Sequence, residues 1–234
     1  LVGMLGVVTG VGILSFYSVI AGWTLGYFIK TITGSFSQGI TAEASAELFN
    51  SFVGNPQIAV FLLLTFIAIT GFVVAGGVSS GIERWSKILM PILLALLVLL
   101  TLRSVTLDGA VKGLEFYLKP DFTKLSPGVV GRALDQALFS LSLGMGTMIT
   151  YGSYLSKKDS LVVSGGYVAM FDTLIALIAG LMIFPALFAL GIDPQGGPGL
   201  VFIVLPTIFA QMPLGAFFGA GFFLLLTVAA LTST

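Results

Sequence analysis

The sequence predicts an all-α integral membrane protein of about six transmembrane helices. Three observations carry that reading. Of 234 residues, 57% are apolar and only 9% charged, and the mean hydropathy is +1.10. A soluble domain carries roughly 25% charge because its surface must be wetted, so ten basic and ten acidic residues cannot cover a soluble globule of this size. The apolar residues gather in six stretches, most of them close to or beyond the roughly 20 residues that a helical span needs, and none alternates with the period of a barrel strand. Because backbone in hydrocarbon must satisfy its own hydrogen bonds, helices remain as the spanning element.

The stretches run over 4–29, 58–77, 86–102, 133–155, 161–190 and 213–234. The first ends at Lys30, and the second opens behind the turn dipeptide Asn55-Pro56. The third begins among Arg84 and Lys87 and contains Pro91. Pro120-Asp121 and Ser126-Pro127-Gly128 punctuate the approach to the fourth, and Lys157-Lys158-Asp159 separates it from the fifth. Asp193-Pro194 opens a Pro/Gly-rich turn that runs to Gly199, followed by an apolar segment, 200–210, too short to span and read as a helix lying over the outer face. Basic residues are densest in the short connections at 75–87 and 156–160, which places these inside, with Leu1 on the same side. The chain opens on Leu1 without a basic leader and closes on Thr232-Ser233-Thr234 without an anchor, so it reads as an internal piece of a longer membrane protein.

Composition also excludes functions. Basic and acidic residues cancel, so neither nucleic-acid binding nor a polybasic lipid-surface mode is expected. Without cysteine there is no thiolate nucleophile, disulfide or iron–sulfur site, and without histidine the commonest general base and metal ligand is missing. Gly77-Val78-Ser79-Ser80-Gly81 matches the G-x-S-x-G nucleophile elbow, but that chemistry needs a strand-to-helix turn and a base. The chain is therefore read as no enzyme.

The stretch that carries mechanism is Phe139-Ser140-Leu141-Ser142-Leu143-Gly144-Met145-Gly146, in the middle of the fourth span. Paired glycines beside serines are poor helix material. Two readings are open: a helix broken at 140–146, whose carbonyls can coordinate Na⁺, or a close-packed glycine seam. Asp172 lies inside the fifth span, where a carboxylate costs about 2.5–3.5 kcal/mol and calls for a cation or donor; an ion or proton site and a structural hydrogen bond both answer it. Asp135 sits nearer a helix end, within reach of water. Gly81 and Pro91 flank the start of the third span, either to let it unwind or as an ordinary helix start with a tolerated kink.

Several motifs together resemble the neurotransmitter:sodium symporter family, in particular its bacterial sodium-dependent amino-acid transporters: Tyr17 with Gly22-Trp23-Thr24-Leu25-Gly26, Gly81-Ile82-Glu83-Arg84 with Lys87 and Pro91, Gln136 to Gly146, Ile149-Thr150-Tyr151-Gly152-Ser153-Tyr154, and Leu231-Thr232-Ser233. The resemblance implies helices three to eight of a roughly twelve-helix inverted-repeat transporter. Residues 1–102 would be the last three helices of the first repeat, 103–130 an extracellular connection, and 131–234 the first three helices of the inverted second repeat. It implies that the Tyr17 hydroxyl bonds a substrate carboxylate, that Ile13, Phe139, Ser142 and Met145 line the side-chain pocket, and that Ser140 borders it. Two sodium sites would follow, one with Ser140 and Asp172, the other with the Ala229 carbonyl and the Thr232 and Ser233 hydroxyls; oxygen ligands suit a hard cation. Gln136, Tyr154, Gly81 and Pro91 would belong to gating.

Two positions depart from other branches of the family. Ala176 stands where chloride-dependent relatives have a serine, and Asp172 already brings negative charge, so chloride is not expected as a co-ion. Met145 replaces a phenylalanine of some relatives, and a flexible thioether favours a roomy pocket for hydrophobic amino acids. The expected function is sodium-coupled symport of a small hydrophobic L-amino acid across the cytoplasmic membrane by alternating access, with membrane lipid as the other partner. The alternative is a helical ion channel or pore on the same scaffold.

Overall fold

Among the described residues of the computed structural model (2–36, 39–75, 82–156, 159–194 and 199–233) there are ten α-helices, one 3-10 turn and no strand. Five helices are long and apolar enough to cross a membrane: α1 (Val2–Ile32), α3 (Pro56–Ala75), α4 (Ile82–Val105), α8 (Leu161–Ala189) and α10 (Gly215–Thr232). Together with the family placement below, they make this a multi-pass integral membrane protein. The fourth expected span is two shorter helices, α6 (Pro127–Ser140) and α7 (Thr147–Tyr154), with non-helical backbone between them.

The helix starts follow local chemistry. Asn55 Oδ1 accepts from the Gln57 and Ile58 amides (3.1 and 3.2 Å) just where Pro56 opens α3. Ser126 Oγ accepts from the Val129 amide to start α6, and Ser160 Oγ from Val163 to start α8. Pro91 lies on an exposed side of α4, and the helix continues through it. Gly81 lies outside the described residues.

The two long connections are more ordered than their turn residues suggest. Each holds a short helix: α2 (Ala42–Val53), capped by Thr41, and α5 (Ala110–Leu118), which follows Gly109 at φ +89°. The segment at 200–210 forms α9 (Leu200–Ala210), as expected, but Phe202 and Val204–Phe209 are buried, because α2, α8 and α10 all pack on it.

The core lies towards one end of the bundle. Tyr27 of α1 is fully buried among the rings of Phe36, Phe49, Phe52, Phe202 and Phe223, at centroid distances of 4.9–6.5 Å. Along α1 and α10 the buried hydroxyls of Thr24 and Thr227 meet at 2.9 Å. One hydroxyl donates to the other, which in turn donates to its own helix, at the Ala21 or the Phe223 carbonyl. Residues 3–17 of α1 and 161–177 of α8 instead leave large apolar side chains exposed, up to 86% for Val162, as suits surface that faces lipid or further protein.

Close approach of α5 to α8 depends on Gly113. A Cβ there would lie 2.6 Å from Pro185 Cα and also against the Phe184 carbonyl, both backbone. Gly113→Ala is expected to destabilise the protein by about 1–3 kcal/mol. Gly131→Ala, where a Cβ meets nothing within 4 Å, should be neutral or stabilising, since alanine favours the helix. The pair is read as thermal midpoints of the purified protein.

Candidate ion and substrate site

The break between α6 and α7 is built by left-handed residues. α6 closes in a Schellman arrangement, with the Leu143 amide on the Leu138 carbonyl (2.8 Å) and the Ser142 amide on Phe139 (3.0 Å). Ser142 takes the left-handed position at φ +54°, normally a glycine's place; Gly144 (+81°) and Gly146 (+85°) hold the next two. α7 then starts without a side-chain cap, its first bonds running from Ile149 and Thr150 to the Gly146 carbonyl. The carbonyls of Ser140, Leu141 and Ser142 accept no backbone amide among the described residues. Of the two readings of 139–146, the broken helix is the one adopted.

The last residue of α6 meets the fifth span here. Ser140 Oγ lies 2.8 and 2.9 Å from the two carboxylate oxygens of Asp172, sharing its proton between them. Asp172 is half-buried, about 17 Å along a helix that begins at Leu161. No lysine or arginine among the described residues forms an ion pair with it. One neutral hydroxyl does not balance a carboxylate at this depth, and the adjoining C-terminal end of α6 adds partial negative charge. Carboxylate, hydroxyl and unbonded carbonyls together make an oxygen-rich, electronegative place that fits a hard monovalent cation. No cluster of three acidic, histidine or cysteine side chains of the kind that holds a transition metal occurs among the described residues.

A second oxygen group forms at the end of α10. The Ala229 carbonyl accepts from Thr232 Oγ1 at 2.8 Å and from Ser233 Oγ at 3.1 Å. Tyr17 packs nearby, with Leu231, against Ala21, Phe66 and Ala230. The two hydrogen bonds are ordinary back-bonds of helix-end hydroxyls, and they gather the three oxygens beside the tyrosine.

The other expected site residues are more dispersed. Ile13 is half-buried on α1. Met145 is half-buried beside Gly6 of α1, where a Cβ would lie 3.5 Å from its carbonyl oxygen, seven residues and about 10 Å along the helix from Ile13. Phe139 is 53% exposed, Gln136 is exposed, and Tyr154 at the end of α7 is 80% exposed. Ala176 offers its carbonyl to the Tyr117 hydroxyl at 3.5 Å. The Thr24–Thr227 pair was not anticipated. Its signal was available, a hydroxyl inside each of two spans, with Gly22 and Gly26 spaced as G-x-x-x-G around Thr24 for close helix approach.

Comparison with known proteins points one way. A profile of the sodium:neurotransmitter symporter family matches residues 48–234. An uncharacterized sodium-dependent transporter of Bacillus subtilis, YhdH, is 46% identical over the whole chain, and one of Haemophilus influenzae is 41% identical. The chain spans about half the length of these relatives, 51% and 52%. Among solved structures, MhsT in complex with L-phenylalanine superposes with a TM-score of 0.93 at 51% identity, over 99% of this chain and 53% of MhsT.

The strained backbone gives a direct test of the break. Ser142→Val, with a β-branched side chain at φ +54°, is expected to lose roughly 1–2 kcal/mol. Ser142→Gly should hold or gain stability. Denaturation midpoints of the two variants in detergent check this.

Proposed function

The chain belongs to the sodium:neurotransmitter symporter family, and from that premise we propose that it works in the sodium-coupled symport of a small hydrophobic L-amino acid by alternating access. The observation that carries this reading is the Asp172 carboxylate, held by Ser140 at a helix break inside the span, with no ion pair to a lysine or arginine among the described residues. A sodium ion there neutralises the carboxylate and takes up the carbonyls that the break leaves unbonded. The Ala229, Thr232 and Ser233 oxygens form the second sodium site, and Tyr17, packed against Ala230 with Leu231, offers its hydroxyl to the substrate carboxylate. Ile13, Phe139, Ser142 and Met145 form the side-chain pocket, and Gln136, Tyr154, Gly81 and Pro91 act in gating. The complex of MhsT with L-phenylalanine, at 51% identity, supports a hydrophobic amino acid as substrate, as does the adaptable Met145.

Coupling follows from linkage: if sodium raises substrate affinity, substrate raises sodium affinity by the same factor. A pore has no such requirement. The test is equilibrium binding of labelled phenylalanine, leucine and tryptophan to the intact protein in detergent, titrated with Na⁺ against K⁺. Saturable binding is expected with Na⁺ alone. Tyr17→Phe should weaken it about tenfold or more, the worth of a hydrogen bond to a charged group, and Asp172→Asn should raise the Na⁺ concentration needed for half-saturation. Absence of Na⁺-dependent binding for all three amino acids would refute the proposal.

Because Asp172 supplies a fixed negative charge beside the first sodium, chloride is not required in this reading. Exchanging chloride for gluconate is expected to leave Na⁺-dependent binding unchanged, and a loss of binding would show that an anion is part of the site.

A further inference from the structure

A second recess lies away from the ion sites, between the end of α1, the end of α2 and the first two turns of α3. It is an open groove of about 370 Å³, within the size range of small-molecule sites. Its floor exists because residue 26 is a glycine: a Cβ there would lie 2.5 Å from Phe52 Cζ and 2.7 Å from Leu62 Cδ1, so both side chains fold against bare α1 backbone. Its walls are Ile29, Ile58 and Phe61, all exposed, the last at 67%. Its mouth holds Lys30 and Gln57.

Lys30 sets the chemistry. Its ammonium lies 5.4 Å from the centre of the Phe52 ring, which orients the charge by a cation–π contact without neutralising it. No acidic side chain lines the groove, and Lys30 forms no ion pair among the described residues. The Gln57 and Ile58 amides at the start of α3 are already taken by Asn55 Oδ1, so a negative ligand is left to the lysine. The groove lies at the ends of two membrane-length helices, α1 and α3, where a span of that length meets headgroups, and runs about one turn from Lys30 to Gly26.

We propose that this groove binds an anionic phospholipid, its phosphate on Lys30 and Gln57 and the start of one acyl chain along Ile29, Ile58 and Phe61. Charge complementarity selects a lipid with net negative charge over a zwitterionic one, whose own ammonium would meet the lysine. The apolar walls select a lipid over a free phosphate.

The test uses the intact protein, purified and incubated in mixed micelles with radiolabelled phosphatidylglycerol or phosphatidylcholine, then separated from free micelles and counted. Phosphatidylglycerol is expected to be retained saturably, about one per chain, with a preference over phosphatidylcholine of roughly fivefold from a single lysine near the surface. Lys30→Gln should abolish the preference and Lys30→Arg keep it, each eluting as a monodisperse peak. Lys112→Gln, an exposed lysine on α5 outside the groove, should change nothing, which separates the groove from general surface charge. Soluble glycerol phosphate at millimolar concentration should not compete. Equal retention of the two lipids, a preference that survives Lys30→Gln, or competition by the soluble headgroup would each overturn the proposal.

Discussion

Inside a bilayer each backbone amide and carbonyl must find a partner within the protein, because hydrocarbon offers none. The rest of this structure depends on that constraint. Five helices meet it by running unbroken. The fourth expected span does not, and its interruption leaves carbonyls without a backbone partner among the described residues. α6 closes its own end as far as a Schellman arrangement permits, using a serine at φ +54°. Three carbonyls beyond it remain, and the neighbouring helix brings the Asp172 carboxylate to the same point. The requirement that makes the break costly also gathers there the oxygens proposed to hold an ion.

The packed end of the bundle, away from the break, is aromatic: Tyr27, Phe49, Phe52, Phe202 and Phe223 interlock α1, α2, α9 and α10. Most of these contacts are edge-on or tilted, as the ring quadrupole favours. Hydroxyls inside the spans do related work on a smaller scale. Thr24 and Thr227 join α1 to α10, and Thr101 bonds its own helix at Leu97 while also reaching the Ile178 carbonyl of α8 at 3.3 Å. Such bonds are individually modest in membranes, about 0.6 kcal/mol on average, and they fix the register of helices whose outer surfaces are uniformly apolar.

What the sequence made legible follows from which signals are local. The span-length stretches needed only composition, and five of the six became single helices within a few residues of their expected limits. The break at 140–146 was only half legible, because glycine and serine weaken a helix but equally suit a close-packed seam, and the family resemblance decided between them; the observed helices stop at Ser140 and resume at Thr147. The helices α2 and α5 were not seen, since each is short, lies among turn residues and buries only a narrow face, Ser45 and Phe52 in one and Ala110 and Gly113 in the other. The contact of Ser140 with Asp172, 32 residues away, is a tertiary fact that no spacing rule supplies; it was expected from family resemblance alone. Of the two readings of Pro91, α4 takes the tolerated one, since a proline on an exposed side of a long helix leaves it continuous.

The position of the polar groups along the helices has its own logic. On α1, side chains change from exposed to buried between Phe16 and Ser18, and Tyr17 stands at that change. On α8 the change comes near Ile178, within two turns of Asp172. Deep in the packed end a polar group is closed off from any ligand, as the fully buried Tyr27 is. In the open half it would have no neighbours to hold its geometry. At the boundary, one side of each residue is fixed by packed helices, as Tyr17 is by Ala21, Phe66 and Ala230, while the other side stays reachable. Groups that must be both placed and accessible are confined to this level of the bundle, and the helix break lies at the same level through the bond of Ser140 to Asp172.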